Sequence, residues 1–279
     1  MGDTFSNSCD HWSEKHISEM EDFYNLANVD YQYLSNAVDW RKTFETIQSK
    51  VGSRSIRLLD IACGAGKFPN ALLSNANFNN SDIKKVDYSL LDPSGFSINQ
   101  AKKILRKPFF ESLCFESTIQ DLKFNKYHFD LVWAVHALYA IPSEELELSL
   151  KKFLHVLDGF GFIAHACNDS HYIKFYNYFL QAFDKNNRFA YISAEDILKQ
   201  LSEIGVKTRV KYLNYTNGTS KRNTNLVESY LQRCVFDDTI SMEQMLAHDI
   251  TGKYLKNCLV NKTNWIFPQK VMLIFIEKF

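Results

Sequence analysis

The sequence predicts an α/β chain built on a doubly wound, seven-stranded and mostly parallel sheet, and three observations carry that reading. Short apolar, β-rich runs alternate with segments of helical period, as βαβ units require. The runs are uniformly apolar rather than alternating, so both faces of each strand must be covered. The first run ends in an acid and turns through two glycines into a helix, the way a Rossmann-like sheet presents a ligand site at its carboxyl edge.

The elements follow in order. Residues 1–50 are read as a helical N-terminal cap. Residues 56–61 form the first strand, 86–91 the second, a weaker stretch near 112–115 the third, 129–135 the fourth and 161–166 the fifth. Before the fifth strand, Ser143 is placed to cap a helix with Glu144 and Glu145 in its first turn. Leu146, Leu150, Phe153, Leu154 and Leu157 share its face, and Gly159 is expected to end it. Ser193 and Asp196 spell a capping box before Ile197, Leu198, Leu201 and Ile204, with Gly205 at the αL position. Residues 206–213 and 271–276 read as the last two strands. Between them an insertion, residues 214–265, carries a helix whose Leu226, Val227, Tyr230, Leu231 and Cys234 lie on one side. The whole, 1–279, is read as a single domain whose cap and insertion cover the substrate side.

Composition narrows the function. Apolar residues are 46% of the chain, and 32 basic residues balance 32 acidic ones. No field for a polyphosphate partner results, so nucleic acid is not expected. Six scattered cysteines offer no C-x-x-C pair, so no metal is expected and the thiols read as reduced. No apolar run approaches the length of a membrane span and no export signal is visible, which points to the cytoplasm and to no membrane partner.

The informative stretch is Leu58-Leu59-Asp60-Ile61-Ala62-Cys63-Gly64-Ala65-Gly66-Lys67-Phe68. Gly64 and Gly66 remove side chains where backbone must approach a ligand, and Asp60 can hold a cationic amino group there. The second strand then ends at Asp92, where a carboxylate accepts hydrogen bonds from ribose hydroxyls. A dinucleotide fingerprint needs a third glycine, and Pro69 stands in its place. The run instead resembles motif I of class I S-adenosylmethionine-dependent methyltransferases, with Ala62 for the first glycine. The resemblance implies S-adenosylmethionine as cofactor, Asp92 on ribose, Ser117 or Thr118 near adenine, and Val135 or His136 along the cofactor.

Nearly the whole chain further resembles the histamine N-methyltransferases in local patterns. Asp92-Pro93-Ser94 matches that family's ribose-binding Glu-Pro-Ser, and Gln100 lies near its cofactor-binding Gln. His136 and Tyr139 stand where a Gln and a Tyr line the family's substrate pocket. Tyr172 and Tyr176 replace two tryptophans of the same spacing, Phe236 matches an aromatic wall residue, and Asp30 in Asn28-Val29-Asp30-Tyr31-Gln32 matches an acid that meets the substrate. Tyr24, on the same N-terminal stretch, is assigned to the acceptor side with it. The implied reaction is N-methylation of a small amine or imidazole, by a monomer or weak homodimer.

An aromatic wall and a carboxylate suit a cationic acceptor. Transfer from a sulfonium asks mainly for positioning and exclusion of water, with His136 or Tyr139 available to take a proton. Two rival readings remain: a small-molecule O-methyltransferase, for which no cationic clamp stands out, and a non-catalytic S-adenosylmethionine-binding protein.

Overall fold

In a computed structural model of the chain, all residues are described except 1, 2, 77, 79–82, 124, 125, 184–187 and 279. The parallel core consists of β1 (Ile56–Ile61), β2 (Val86–Asp92), β3 (Phe109–Glu116), β4 (Phe129–Val135) and β5 (Leu157–Ala166). Two more strands complete the sheet, β8 (Asn264–Glu277), antiparallel to both its neighbours, and β6 (Thr208–Ser220) beyond it, and the two-residue β7 (Leu259–Val260) pairs with β8. The order is β3-β2-β1-β4-β5-β8-β6, so the topology reverses between β1 and β4.

The apolar runs alternate after all, but between two buried faces. Leu131, Trp133 and Val135 of β4 face one core cluster, whereas Val132 and Ala134 face the other. In β8, Val271, Leu273 and Phe275 divide from Met272, Ile274 and Ile276 in the same way. On the first face pack α3 (Trp40–Val51), α4 (Lys67–Asn75) and α5 (Gly95–Ile104). On the second lie α6 (Leu146–Val156) and α8 (Ala194–Glu203). A third cluster, at one end of the sheet, joins α7 (His171–Phe183) to α9 (Thr224–Val235), α10 (Met242–Ala247) and α11 (Asp249–Cys258).

Several boundaries differ from the expected ones for identifiable reasons. Ser143 does not cap α6: it opens a 3₁₀ turn, Ser143–Glu145, and its hydroxyl meets Glu144. Gly159 does not end α6, because the chain passes from Val156 directly into β5 at Leu157, so Gly159 lies within the strand. The third strand is longer than expected because β3 is the exposed edge, where polar residues such as Glu111 and Ser112 are tolerated. β6 and β8 run on through 214–220 and 264–265, so the insertion proper is shorter than 214–265. Residues 1–50 also divide. α1 (Thr4–His11) and much of α2 (Ile17–Ala37) border the cavity described below, but α3 is a sheet-covering helix, with the Trp40 ring 4.8 Å from that of Phe162 and 6.0 Å from that of Trp133. The Ser193/Asp196 capping box and the αL Gly205 are present.

Candidate active site

At the carboxyl ends of β1, β2 and β4, where the sheet order reverses, lies a cavity of about 1500 Å³ including its mouth.

The turn after β1 forms one wall. Ala62 and Gly64 both have positive φ, 51° and 50°, and Ala62 is thus the position where the motif's usual glycine sits without cost. The Gly64 N–H donates to Asp92 Oδ2 and the Ser94 N–H to Asp92 Oδ1, each at 2.9 Å. These bonds fix the carboxylate at the cavity edge and leave one lone pair on each oxygen for further donors. Burial pushes Asp92 up to about 6, against the pull of those two N–H groups. Asp60 also lines the cavity; Tyr88 Oη donates to its Oδ2 at 2.6 Å, and burial raises it to about 7. Gly66 is not part of the lining. Its φ is 71° and a Cβ there would lie 3.0 Å from Ala101 Cα, so this glycine lets α4 and α5 approach.

Thr118 and Val135 line the cavity, as do Ile119 and Gln120, whereas Ser117 does not. Gln100, on α5, lies outside it, and Ser97 of the same helix takes the nearer place.

Opposite the turn, four aromatic rings gather around Asp30. His136, φ 53°, bonds Tyr139 Oη through Nδ1 at 2.6 Å, and its Nε2 is buried without a partner. The Tyr31 and Tyr172 rings stand edge-on to it at 6.2 and 6.1 Å. Tyr172 Oη donates to Asp30 Oδ2 at 2.6 Å, while Asp30 Oδ1 has no hydrogen-bond partner. Asp30 is 2% exposed, and burial, only partly offset by Tyr172, Asn217 and Tyr215, lifts it to about 7. Burial drives His136 the other way, down to about 3. Tyr24 lines the cavity beside the glycine turn, its Oη 3.8 Å from where a Gly64 Cβ would be. Phe236, in the αL conformation after α9, closes the wall near Tyr191.

Tyr176 does not share this wall. One turn beyond Tyr172, it is 1% exposed, stacks on Tyr191 at 3.6 Å and bonds Thr4 Oγ1 at 3.0 Å, outside the lining. The i, i+4 spacing puts both rings on one side of α7, but only the first reaches the cavity.

Two cations of the lining were not singled out from the sequence: Lys67, whose Nζ lies 4.2 Å from the Tyr24 ring centroid, and Arg233 of α9. Arg233 was nevertheless findable, because it falls three residues after Tyr230 and seven after Leu226, on the apolar face already recognised. Among the described residues one cluster has metal-ligand spacing, Cys167, Asp169 and Glu195, away from the cavity lining. Lys270 occupies Asp169 at 3.2 Å and the Asn168 N–H occupies Glu195 at 2.8 Å, so ordinary partners account for the acids.

Comparison with known proteins accords with this geometry. Residues 53–191 match the model of a methyltransferase domain. No curated protein matches the chain. Among solved structures, magnesium protoporphyrin IX methyltransferase from Synechocystis PCC 6803, with bound S-adenosylhomocysteine, is similar over 98% of this chain and 99% of its own, at TM-score 0.54 and 11% identity. A methyltransferase of Bacillus halodurans C-125, known as such only by inference, aligns over 84% and 98% at TM-score 0.52 and 12% identity. The plantazolicin methyltransferase, also with S-adenosylhomocysteine, aligns over 98% and 95% at TM-score 0.51 and 12% identity. At such identities these structures speak for the fold. The domain match is what assigns a methyltransferase domain to residues 53–191.

Proposed function

We propose that this chain is an S-adenosylmethionine-dependent methyltransferase that methylates nitrogen in a small amine or imidazole compound. The observation that carries the reading is the buried Asp30 carboxyl, whose Oδ1 has no partner and which stands among Tyr31, His136, Tyr139 and Tyr172. A buried acceptor atom left unpaired costs about 1–3 kcal/mol, and an N–H donor from the acceptor removes that cost. The local likeness to histamine N-methyltransferases supports the same class.

The cofactor supplies an electrophilic methyl group on a sulfonium. Asp92 would hold its ribose with the free lone pairs, Gly64 gives it room, and Thr118, Ile119 and Val135 flank it. Asp30 and the rings would orient the acceptor, with aromatic faces favouring a cation by about 0.5–2 kcal/mol. The acceptor's nitrogen must shed a proton. Burial raises Asp30 and lowers His136, so the carboxylate is the stronger proton acceptor of the two. Asp30 therefore takes the proton, and His136 with Tyr139 positions the acceptor as a neutral hydrogen-bonded pair. Trp12, Phe236 and the α1 residues Phe5 and Cys9 keep water out. We place this activity in the cytoplasm, in a monomer or weak homodimer; all six cysteines are free, and among the described residues no helix is long and apolar enough to cross a membrane.

Small amines and imidazoles offered with methyl-labelled S-adenosylmethionine should give a nitrogen-methylated product identifiable by mass. Asp30→Asn should lower kcat/KM for that acceptor at least tenfold while the cofactor Kd stays within about twofold. Products methylated only on oxygen, or no turnover with any amine, would overturn the reading.

A further inference from the structure

Arg233 is 1% exposed and lines the cavity on the insertion side. Its Nη1 donates to His11 O, the Trp12 ring lies 5.4 Å from its guanidinium carbon, and Nε and Nη2 have no hydrogen-bond partner. The acids whose charge reaches it, Asp238 and Glu19, form no ion pair with it. Asp238 instead faces His11 and His16 at 3.7 Å. A guanidinium that is always charged, buried, and short of two of its bonds is a costly arrangement that a carboxylate would relieve through a forked pair of hydrogen bonds.

Two carboxylates are candidates, the cofactor's own and one on the acceptor. Lys67 is the first residue of α4, directly after the glycine turn, lines the same cavity, and forms no ion pair among the described residues. At the turn, it is the cation available to the cofactor's carboxylate. Arg233 sits with Cys234, Phe236 and Trp12, on the cover, whereas Lys67 starts the helix that follows the glycine turn. From this separation, and resting on the methyltransferase reading above, we infer that Arg233 binds a carboxylate of the acceptor, so that the acceptor class is an amino acid or a related zwitterion with its reacting nitrogen toward Asp30 and its carboxylate toward Arg233. The carboxylate is an anchor and is not itself methylated.

Direct binding tests this without turnover. The protein saturated with S-adenosylhomocysteine is titrated calorimetrically with a panel of free amino acids, each beside its decarboxylated amine and its methyl ester. For at least one amino acid, histidine being the first to try, the free acid should bind at least tenfold more tightly than both partners. Arg233→Met should erase that preference, and Arg233→Lys should restore part of it, with cofactor Kd within about twofold in both. No panel member that prefers the acid overturns the inference, and this comparison needs only the wild-type protein should a variant not fold. An Arg233→Met protein that keeps the preference, or one that loses cofactor affinity instead, also overturns it. So does a product that mild alkali hydrolyses, because that product is an ester. Failure of amine methylation with the acid preference intact would fall on the reaction assigned above and leave the carboxylate subsite standing.

Discussion

Asp92 shows how much one side chain is asked to do at this site. It terminates β2, accepts from Gly64 and Ser94, and so ties the turn after β1 to the turn after β2 while presenting its remaining lone pairs to the cavity. A charge-assisted hydrogen bond contributes about 1.5–3 kcal/mol. Asp92→Ala should therefore weaken S-adenosylmethionine binding by roughly ten- to hundredfold, read by calorimetry on protein shown to be folded. Its melting temperature should fall as well, since two backbone N–H groups lose their acceptor. Cofactor affinity unchanged within twofold would remove Asp92 from the site. Gly66, assigned the same duty from the motif, shows the opposite case: its missing side chain serves the contact with Ala101.

At the scale of elements, what the sequence reveals depends on how local the determining physics is. β1 and β4 are found to the residue because a mostly apolar run buried on both faces stands out from the polar residues that flank it. The box at Ser193 and Asp196 is a contact between residues three apart, equally legible. The end of α6 is not, because Leu157 continues its apolar spacing and only pairing with β4 turns the chain into strand there. The site divides similarly. Asp60, Gly64 and Asp92 announce themselves by strand-end position, but whether a ring on α7 reaches the cavity depends on what else packs against that helix, and no spacing encodes this. Tyr172 and Tyr176 make the difference measurable. Tyr172→Phe removes the donor to Asp30 Oδ2 and should lower kcat/KM for the acceptor by about tenfold, with cofactor Kd unchanged. Tyr176→Ala should instead cost stability, roughly 3–5 kcal/mol for a fully buried aromatic, with near-normal kinetic constants in the folded fraction. Thermal melts beside steady-state kinetics separate the two. The reverse assignment of losses would put Tyr176, not Tyr172, against the acceptor.

For the molecule as a whole, the buried titratable groups set a pH response whose sign can be worked out. Asp30 and Asp60, about 7, and Asp92, about 6, keep their protons in the empty folded protein well above the ordinary 3.8. Their contribution favours folding at low pH and is lost as pH rises through those values. His136 and His171, about 3, and His165, about 4, stay neutral in the fold although the unfolded chain protonates them near 6.5, so their contribution is lost as pH falls below that value. Between about 4 and 6.5 the three acids and three histidines nearly cancel, and His11, about 4, tips the balance toward a gentle loss of stability on acidification. Cofactor binding does not share this cancellation. Ribose hydroxyls donate to the ionised form of Asp92, so below about 6 binding must first expel a proton, and affinity should fall by up to tenfold per pH unit. Because a ligand that binds only the folded state stabilises by RT ln(1 + [L]/Kd), the rise in Tm produced by a fixed S-adenosylmethionine concentration should grow from pH 5 to 7 and then level off. Melts with and without cofactor across that range check this, and Asp92→Asn, which cannot ionise, should show a smaller rise that depends less steeply on pH, Asp60 being the carboxyl left to titrate in the cavity. A wild-type rise that is flat from pH 5 to 7 would mean that the carboxylate at the end of β2 does not meet the cofactor in its charged form.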